Sequence, residues 1–145
     1  MLDNCIFCDL VNGKLKASRV YEDDHTLAFM NQRQANLGHV LVIPKTHYLT
    51  IYELDAEIAA HLFQTVVLVA QAIRHSLRPD GLTIWQSNGI VAGQEIAHVH
   101  IHVFPRAAND QLIRFYPGMP ALQERTTLDC LAETIRTGFS GRACL

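Results

Sequence analysis

Three histidines alternate in the stretch His98-Val99-His100-Ile101-His102. Near neutral pH, imidazole readily gives or takes a proton, and its neutral form is both a nucleophile and a metal ligand. On a β-strand, alternate residues share a face. The spacing therefore predicts that His98, His100 and His102 point one way, while Val99, Ile101 and Val103 point into a core. Successive histidine Cα atoms would stand about 6.5–7 Å apart. A lone histidine is often a satisfied polar residue, but three in strict alternation have no packing rationale. Two chemistries fit the pattern. In one, the three imidazoles chelate a metal such as zinc. In the other, one imidazole attacks phosphorus while its second nitrogen is held as a donor.

Two further clusters carry chemistry. Cys5-Ile6-Phe7-Cys8 is a Cys-x-x-Cys pair without a second pair after it. It reads as half of a metal site, as a redox couple, or as two buried thiols beside Ile6 and Phe7. Cys130 and Cys144 have no visible partner and read as structural. The loop holding Ser87-Asn88-Gly89 and Gly93-Gln94-Glu95 lies just before the histidines. Such a loop can offer backbone N–H groups and an amide side chain to an anion. Alternatively, its glycines merely turn the chain.

The elements that position these residues can be read from periodicity. Residues 5–11 suit a short helical turn, stopped by Asn12-Gly13. Residues 19–21 and Thr26–Met30 read as a hairpin across Asp23-Asp24. Residues 40–43 form a β-branched run that ends at Pro44, as in a buried strand. Residues 55–77 are the main helix, with Asp55 as its expected cap. Ile58, Leu62, Val66, Val69 and Ile73 give that helix one apolar face. His61 and His75 lie on it without a ligand partner at helical spacing, as surface or boundary residues. Strands are expected at 82–86 and 97–104, the latter closed by Pro105. After Arg106 the pattern weakens into an irregular arm around Phe115 to Pro120. A last helix is expected at 127–136, with Gly138 as its stop. This order predicts an α+β fold: an antiparallel sheet, one long helix packed on it, and a short C-terminal helix. Residues 1–110 would form the domain, and 111–145 an arm and helix packed on it.

Composition removes several function classes. The chain has 145 residues, 49% hydrophobic and 18% charged, which describes one ordinary globular domain. Its 12 basic and 14 acidic residues give a net charge of −2, so no basic stripe favours nucleic acid. The longest apolar run, residues 66–70, is too short to span a membrane. No secretory signal is visible, so a reducing cytoplasmic setting without disulfides is expected.

Residues 98–104 match the pattern His-φ-His-φ-His-φ-φ, with φ apolar, of the histidine triad (HIT) family of nucleotide hydrolases and transferases. Phe29-Met30-Asn31, the segment from Gly38 to Lys45, and Gly93-Gln94 also resemble pieces of that family. Together the resemblance covers about residues 3–106. The Cys5/Cys8 start is similar to zinc-containing bacterial members of the Hint-like branch. The resemblance implies that His100 is the nucleophile at the α-phosphate and forms a nucleotidyl-histidine intermediate, with His98's carbonyl fixing its tautomer. It implies that His102 and His39 contact the phosphate or help protonate the leaving group. Asn88 and Gln94 would hold phosphate oxygens. Asn31 would reach the ribose, and Phe7, Phe29 and Ile43 would lie near the base. Cys5, Cys8, His47 and His98 would bind one structural zinc. A homodimer is also implied.

Two positions depart from the family pattern. Many relatives have Asp where this chain has Asn31, and Ser or Thr where it has Glu95. An ionised Glu95 cannot donate to phosphate, so it is expected to turn away, to be paired, or to be protonated. The expected activity is hydrolysis of phosphoramidates, adenylates or dinucleoside polyphosphates. The alternatives are a metallohydrolase with zinc on the three triad histidines, and a nucleotide sensor that barely turns over.

Overall fold

The computed structural model describes residues 5–112, 118 and 120–139. The elements run α1 (Ile6–Val11), β1 (Arg19–Glu22), β2 (Thr26–Met30), β3 (Val40–Pro44), α2 (Ala56–Leu77), β4 (Gly81–Trp85), β5 (Ile101–Arg106) and α3 (Arg125–Thr137). Single 3-10 turns occur at Ile51–Glu53 and Ile90–Ala92. The five strands form one antiparallel sheet in the order β1-β2-β3-β5-β4. The fold is α+β, as the element order predicts.

Period-two alternation divides the central strands between two cores. Ala28, Val40, Val42 and Val103 meet Leu62, Val66, Val69 and Ile73 of α2. Leu27, Phe29, Leu41 and Ile43 instead meet Phe7 and Leu10 of α1. Burial on both faces explains why β2 and β3 read as continuous apolar runs rather than alternating ones. Thr26 and Thr65, both buried, hydrogen-bond each other at 2.8 Å and tie β2 to α2.

α2 has 22 residues, and an 18-residue window within it has a mean hydropathy of 1.5, enough by length and composition to cross a membrane. Its inner face is instead half of a protein core. Asp55 precedes α2 in extended conformation, but its carboxylate makes no cap bond. It accepts the Tyr48 hydroxyl at 2.6 Å. His61 stacks on His25 with ring centroids 4.1 Å apart, and His75 is exposed.

The histidine segment departs from the expected strand at 97–104. β5 begins only at Ile101 and continues through Pro105 to Arg106. Imidazoles occupy the carbonyls that a longer ladder would use. The His98 ring donates to the Pro44 carbonyl at 2.9 Å, and the His100 ring to the His98 carbonyl at 2.7 Å. Such side-chain bonds compete with the ladder for these carbonyls.

The chain divides into two compact units, 1–110 and 111–145. In the second, α3 ends at Gly138 and carries Leu128, Leu131 and Ile135 along one face. Cys130 on this helix is exposed. Positions 115–117 and 119 of the expected arm, and Cys144, lie outside the described residues.

Candidate active site

The sheet face that carries α1 also carries a row of rings. β4 and β5 place Trp85 opposite His102 and Thr83 opposite Phe104. The Trp85 and His102 rings stack, with centroids 4.2 Å apart and planes 8° apart. His39, just before β3, reaches the same place. Its Nε2 lies 2.9 Å from His102 Nδ1. The loop 31–39 holds His39 there. The Gln34 side chain accepts the Gly38 and His39 N–H groups and donates to the Asn31 and His39 carbonyls. Gly38 has φ +100, and a Cβ there would meet Leu77 at 2.4 Å, so only glycine fits.

His100 is next in the row, with its ring 4.9 Å from that of His102. Its Nδ1–H donates to the His98 carbonyl at 2.7 Å. A neutral imidazole so held has its lone pair on Nε2. Phe7 packs edge-on against both His98 and His100. Phe7, Phe29 and Ile43 are core residues, 6%, 4% and 0% exposed, beneath this row.

His98 turns away from the row. Its Nε2 donates to Pro44, and its Nδ1 stands 3.4 Å from Cys5 Sγ and 3.7 Å from Cys8 Sγ. His47 Nδ1 stands 3.3 Å from Cys8 Sγ. The four ligand atoms all lie within 4.8 Å of one another. A tetrahedral zinc with ordinary Zn–S and Zn–N bonds places S and N about 3.5 Å apart. The donor set and its spacing therefore fit a closed Cys2His2 zinc centre. Among the described residues, these four form the one such cluster, and His100 and His102 take no part in it.

Burial sets the protonation of the row. It pushes His102 down to about 3, helped by the nearby His100 and His39. It pushes His98 down to about 4, against the Pro44 carbonyl. His100 and His39 are also lowered, again chiefly by burial. The His98 carbonyl and the Glu95 charge oppose the shift at His100. Without metal, burial and then Cys5 push the Cys8 thiol up to about 11. A bound divalent cation would reverse that shift and hold a thiolate.

The loop before the histidines is braced by its own side chains. Gln94 Oε1 accepts the Gly89 N–H at 2.7 Å, while its Nε2 donates to the Leu49 and Ile96 carbonyls. Asn88 Oδ1 accepts the Ile51 N–H at 2.8 Å and a bond from Gln86, and its Nδ2 donates back to Gln86. Both amides thus shape the loop. Asn31 sits at the other end of the row, with its Nδ2 3.1 Å from His39 Nδ1. Glu95 is exposed.

A family model described as the HIT domain matches residues 12–109, most of the chain. The chain belongs to the HIT family. It is 45% identical over 104 residues to "Protein hit" of Bacillus subtilis, covering 72% of each chain. It is 36% identical to the adenosine 5'-monophosphoramidase hnt1 of Schizosaccharomyces pombe, covering 71% of this chain and 74% of that one. A crystal structure of a zinc-bound histidine triad family protein from Mycobacterium smegmatis superposes with a TM-score of 0.70 at 30% identity, covering 96% and 98% of the two chains. Family membership and the histidine cluster support a catalyst of the HIT hydrolase or transferase type.

Two members of this site carry no signal in the one-dimensional pattern. Trp85 reads as an ordinary strand residue until register places it on His102. Gln34 sits in a polar loop, and its four bonds depend on the path of the loop.

Proposed function

We propose that this chain hydrolyses nucleoside 5'-phosphate derivatives at the α-phosphorus through a nucleotidyl-His100 intermediate. The observation that carries the reading is the 2.7 Å bond from His100 Nδ1 to the His98 carbonyl. It leaves the Nε2 lone pair for attack, and burial keeps the ring neutral. In the first step a bond forms between Nε2 and phosphorus, the bond to the leaving group breaks, and the leaving group takes a proton. Water then attacks phosphorus, the P–N bond breaks, and nucleoside monophosphate departs. His102 and His39 assist proton transfer and phosphate binding. Backbone N–H groups of the 87–95 loop, braced by Asn88 and Gln94, receive phosphate oxygens, and Asn31 is in reach of the ribose. The base lies near Phe7, Phe29 and Ile43, which support its site from within the core rather than lining it. The phosphoramidase named among the relatives supports a phosphoramidate or related adenylate as substrate.

We further propose that Cys5, Cys8, His47 and His98 bind one structural zinc, which pins α1 to the segment that presents His100. The orientation of His98 toward the two cysteines speaks against zinc on the three triad histidines. A homodimer is supported by β4, an edge strand with Ile84 43% exposed, and by Phe63 and Val67 on the outer side of α2.

Mass spectrometry of protein quenched during turnover tests the reading. A nucleotidyl adduct on His100 is expected, and it should be absent in His100→Ala. Turnover without an adduct would overturn the covalent route. Tight nucleotide binding without turnover would make the protein a sensor.

A further inference from the structure

We propose that Asn31 is a positioning residue that fixes the tautomers of His39 and His102, so that His102 presents an Nε2–H donor to substrate. The inference rests on the covalent reading above and adds a polarity to its hydrogen-bond chain.

A backbone N–H can only donate. The Arg33 backbone N–H lies 3.1 Å from Asn31 Oδ1, which assigns that atom as the amide oxygen. The amide nitrogen then faces His39 Nδ1 at 3.1 Å. An amide nitrogen donates and cannot accept, so His39 Nδ1 carries a lone pair. The proton of neutral His39 is therefore on Nε2, which lies 2.9 Å from His102 Nδ1. His102 Nδ1 must accept, and its own proton is on Nε2. No described residue hydrogen-bonds to that nitrogen. Tautomers are the relevant states because burial disfavours the charged form of both rings.

One influence competes. The Arg33 carbonyl also favours a proton on the His39 ring. A proton on His39 Nδ1 would turn the Asn31 amide over and break its bond from the Arg33 N–H. The two arrangements are mutually exclusive.

A carboxylate at position 31 would reverse the chain. It would accept from His39 Nδ1–H, His39 Nε2 would accept from His102 Nδ1–H, and His102 Nε2 would be left as a lone pair. A donor there stabilises phosphate oxygens and can protonate a leaving group. A lone pair there does neither.

The test is a long-range proton–nitrogen NMR spectrum of the imidazoles in 15N-labelled, zinc-loaded full chain near pH 7.5. His39 and His102 should both carry their protons on Nε2, and His100 on Nδ1. In Asn31→Asp, His39 and His102 should both switch to Nδ1–H. That variant should lose kcat by about tenfold or more. A purely structural role for Asn31 would leave the tautomers unmoved. Nδ1–H on either ring in the unmodified protein overturns the proposal, as does unchanged kcat in a variant whose tautomers have switched. If Asn31→Asp does not fold, the unmodified protein and Asn31→Ser decide, the latter expected to give mixed His39 tautomers. A His100 proton on Nε2 would instead break the covalent reading, so the two failures are distinguishable.

Discussion

Trp85 lies flat on His102, with ring centroids 4.2 Å apart and planes 8° apart. The pair is a cross-strand neighbour pair on β4 and β5, so sheet register sets the angle at which His102 meets substrate. The indole also covers one face of an imidazole that His39 holds by its edge. An aromatic pair of this kind contributes about 0.5–1.5 kcal/mol beyond its buried area. Trp85→Leu should therefore lower kcat by about twofold to tenfold, and Trp85→Phe by less. Steady-state kinetics on the two variants check this. Equal losses would show that stacking is not what Trp85 supplies. Trp85 is the chain's single tryptophan, so its fluorescence should also report nucleoside monophosphate binding.

The zinc centre should matter to the fold more than to the chemistry. Its ligands come from the start of α1, the segment after β3 and the segment before β5, which no regular ladder joins. Cys8→Ser should lose the metal and lower Tm by about 10 °C or more. Elemental analysis should give one zinc per chain in the unmodified protein. A folded, fully active and metal-free preparation of equal Tm would contradict this role.

The buried histidines predict a direction for acid sensitivity. In the folded protein burial holds His102 down at about 3, against 6.5 for a free imidazole. As pH falls, the unfolded chain takes the proton first. The stability held by neutral His102 is thus complete above about pH 6.5 and is lost progressively as pH falls toward the folded value. The ceiling on this loss is about 1.4 kcal/mol per pH unit for each such ring. His102 is half-buried, and solvent screening brings the loss below that ceiling. Urea midpoints at pH 7.5, 6 and 5 should fall along this series. The fall should be shallower in His102→Asn, and identical slopes would rule out His102 as a contributor.

Much of this was legible in the sequence because it is periodic. Burial on two faces wrote β2 and β3 as apolar runs, and one apolar stripe wrote α2. The strand expected at 97–104 begins only at Ile101, because alternation predicts shared facing but not the capture of Pro44 and His98 carbonyls by imidazoles. Asp55 does stand at the N-cap of α2, but its carboxylate makes no cap bond. Tyr48 is distant in one dimension from any cap rule, yet it claims the Asp55 carboxylate. Trp85 and Gln34 were invisible because register and loop path alone bring them to the site.

Glu95 bears on the nucleophile through space. It is exposed, yet its charge favours the protonated form of His100. Glu95→Gln should make His100 less basic and remove a negative charge from the approach of an anionic substrate. An exposed charge acts by under about 1 kcal/mol, so KM should fall about twofold to fivefold. Kinetics on a phosphoramidate check this. A loss of kcat by orders of magnitude would instead give Glu95 a direct part in proton transfer to the leaving group.

The three triad histidines should separate by role. They alternate in sequence, so a shared metal site would make them equivalent. The geometry makes them unequal. His98 gives one nitrogen to Pro44 and turns the other to two cysteines. His100 gives Nδ1–H to a carbonyl, and no described residue hydrogen-bonds to its Nε2. His102 is bound by His39 at its edge and Trp85 on its face. His100→Ala should therefore lose several orders of magnitude in kcat while still binding nucleoside monophosphate and keeping zinc. His98→Ala should lose zinc and Tm together, because it removes a ligand and a tie to Pro44. His102→Ala should slow turnover less than His100→Ala, since general acid–base assistance contributes about 10²–10⁴-fold. Near-normal turnover in His100→Ala would reverse the assignment of roles along this segment, and so would zinc loss there with retention in His98→Ala.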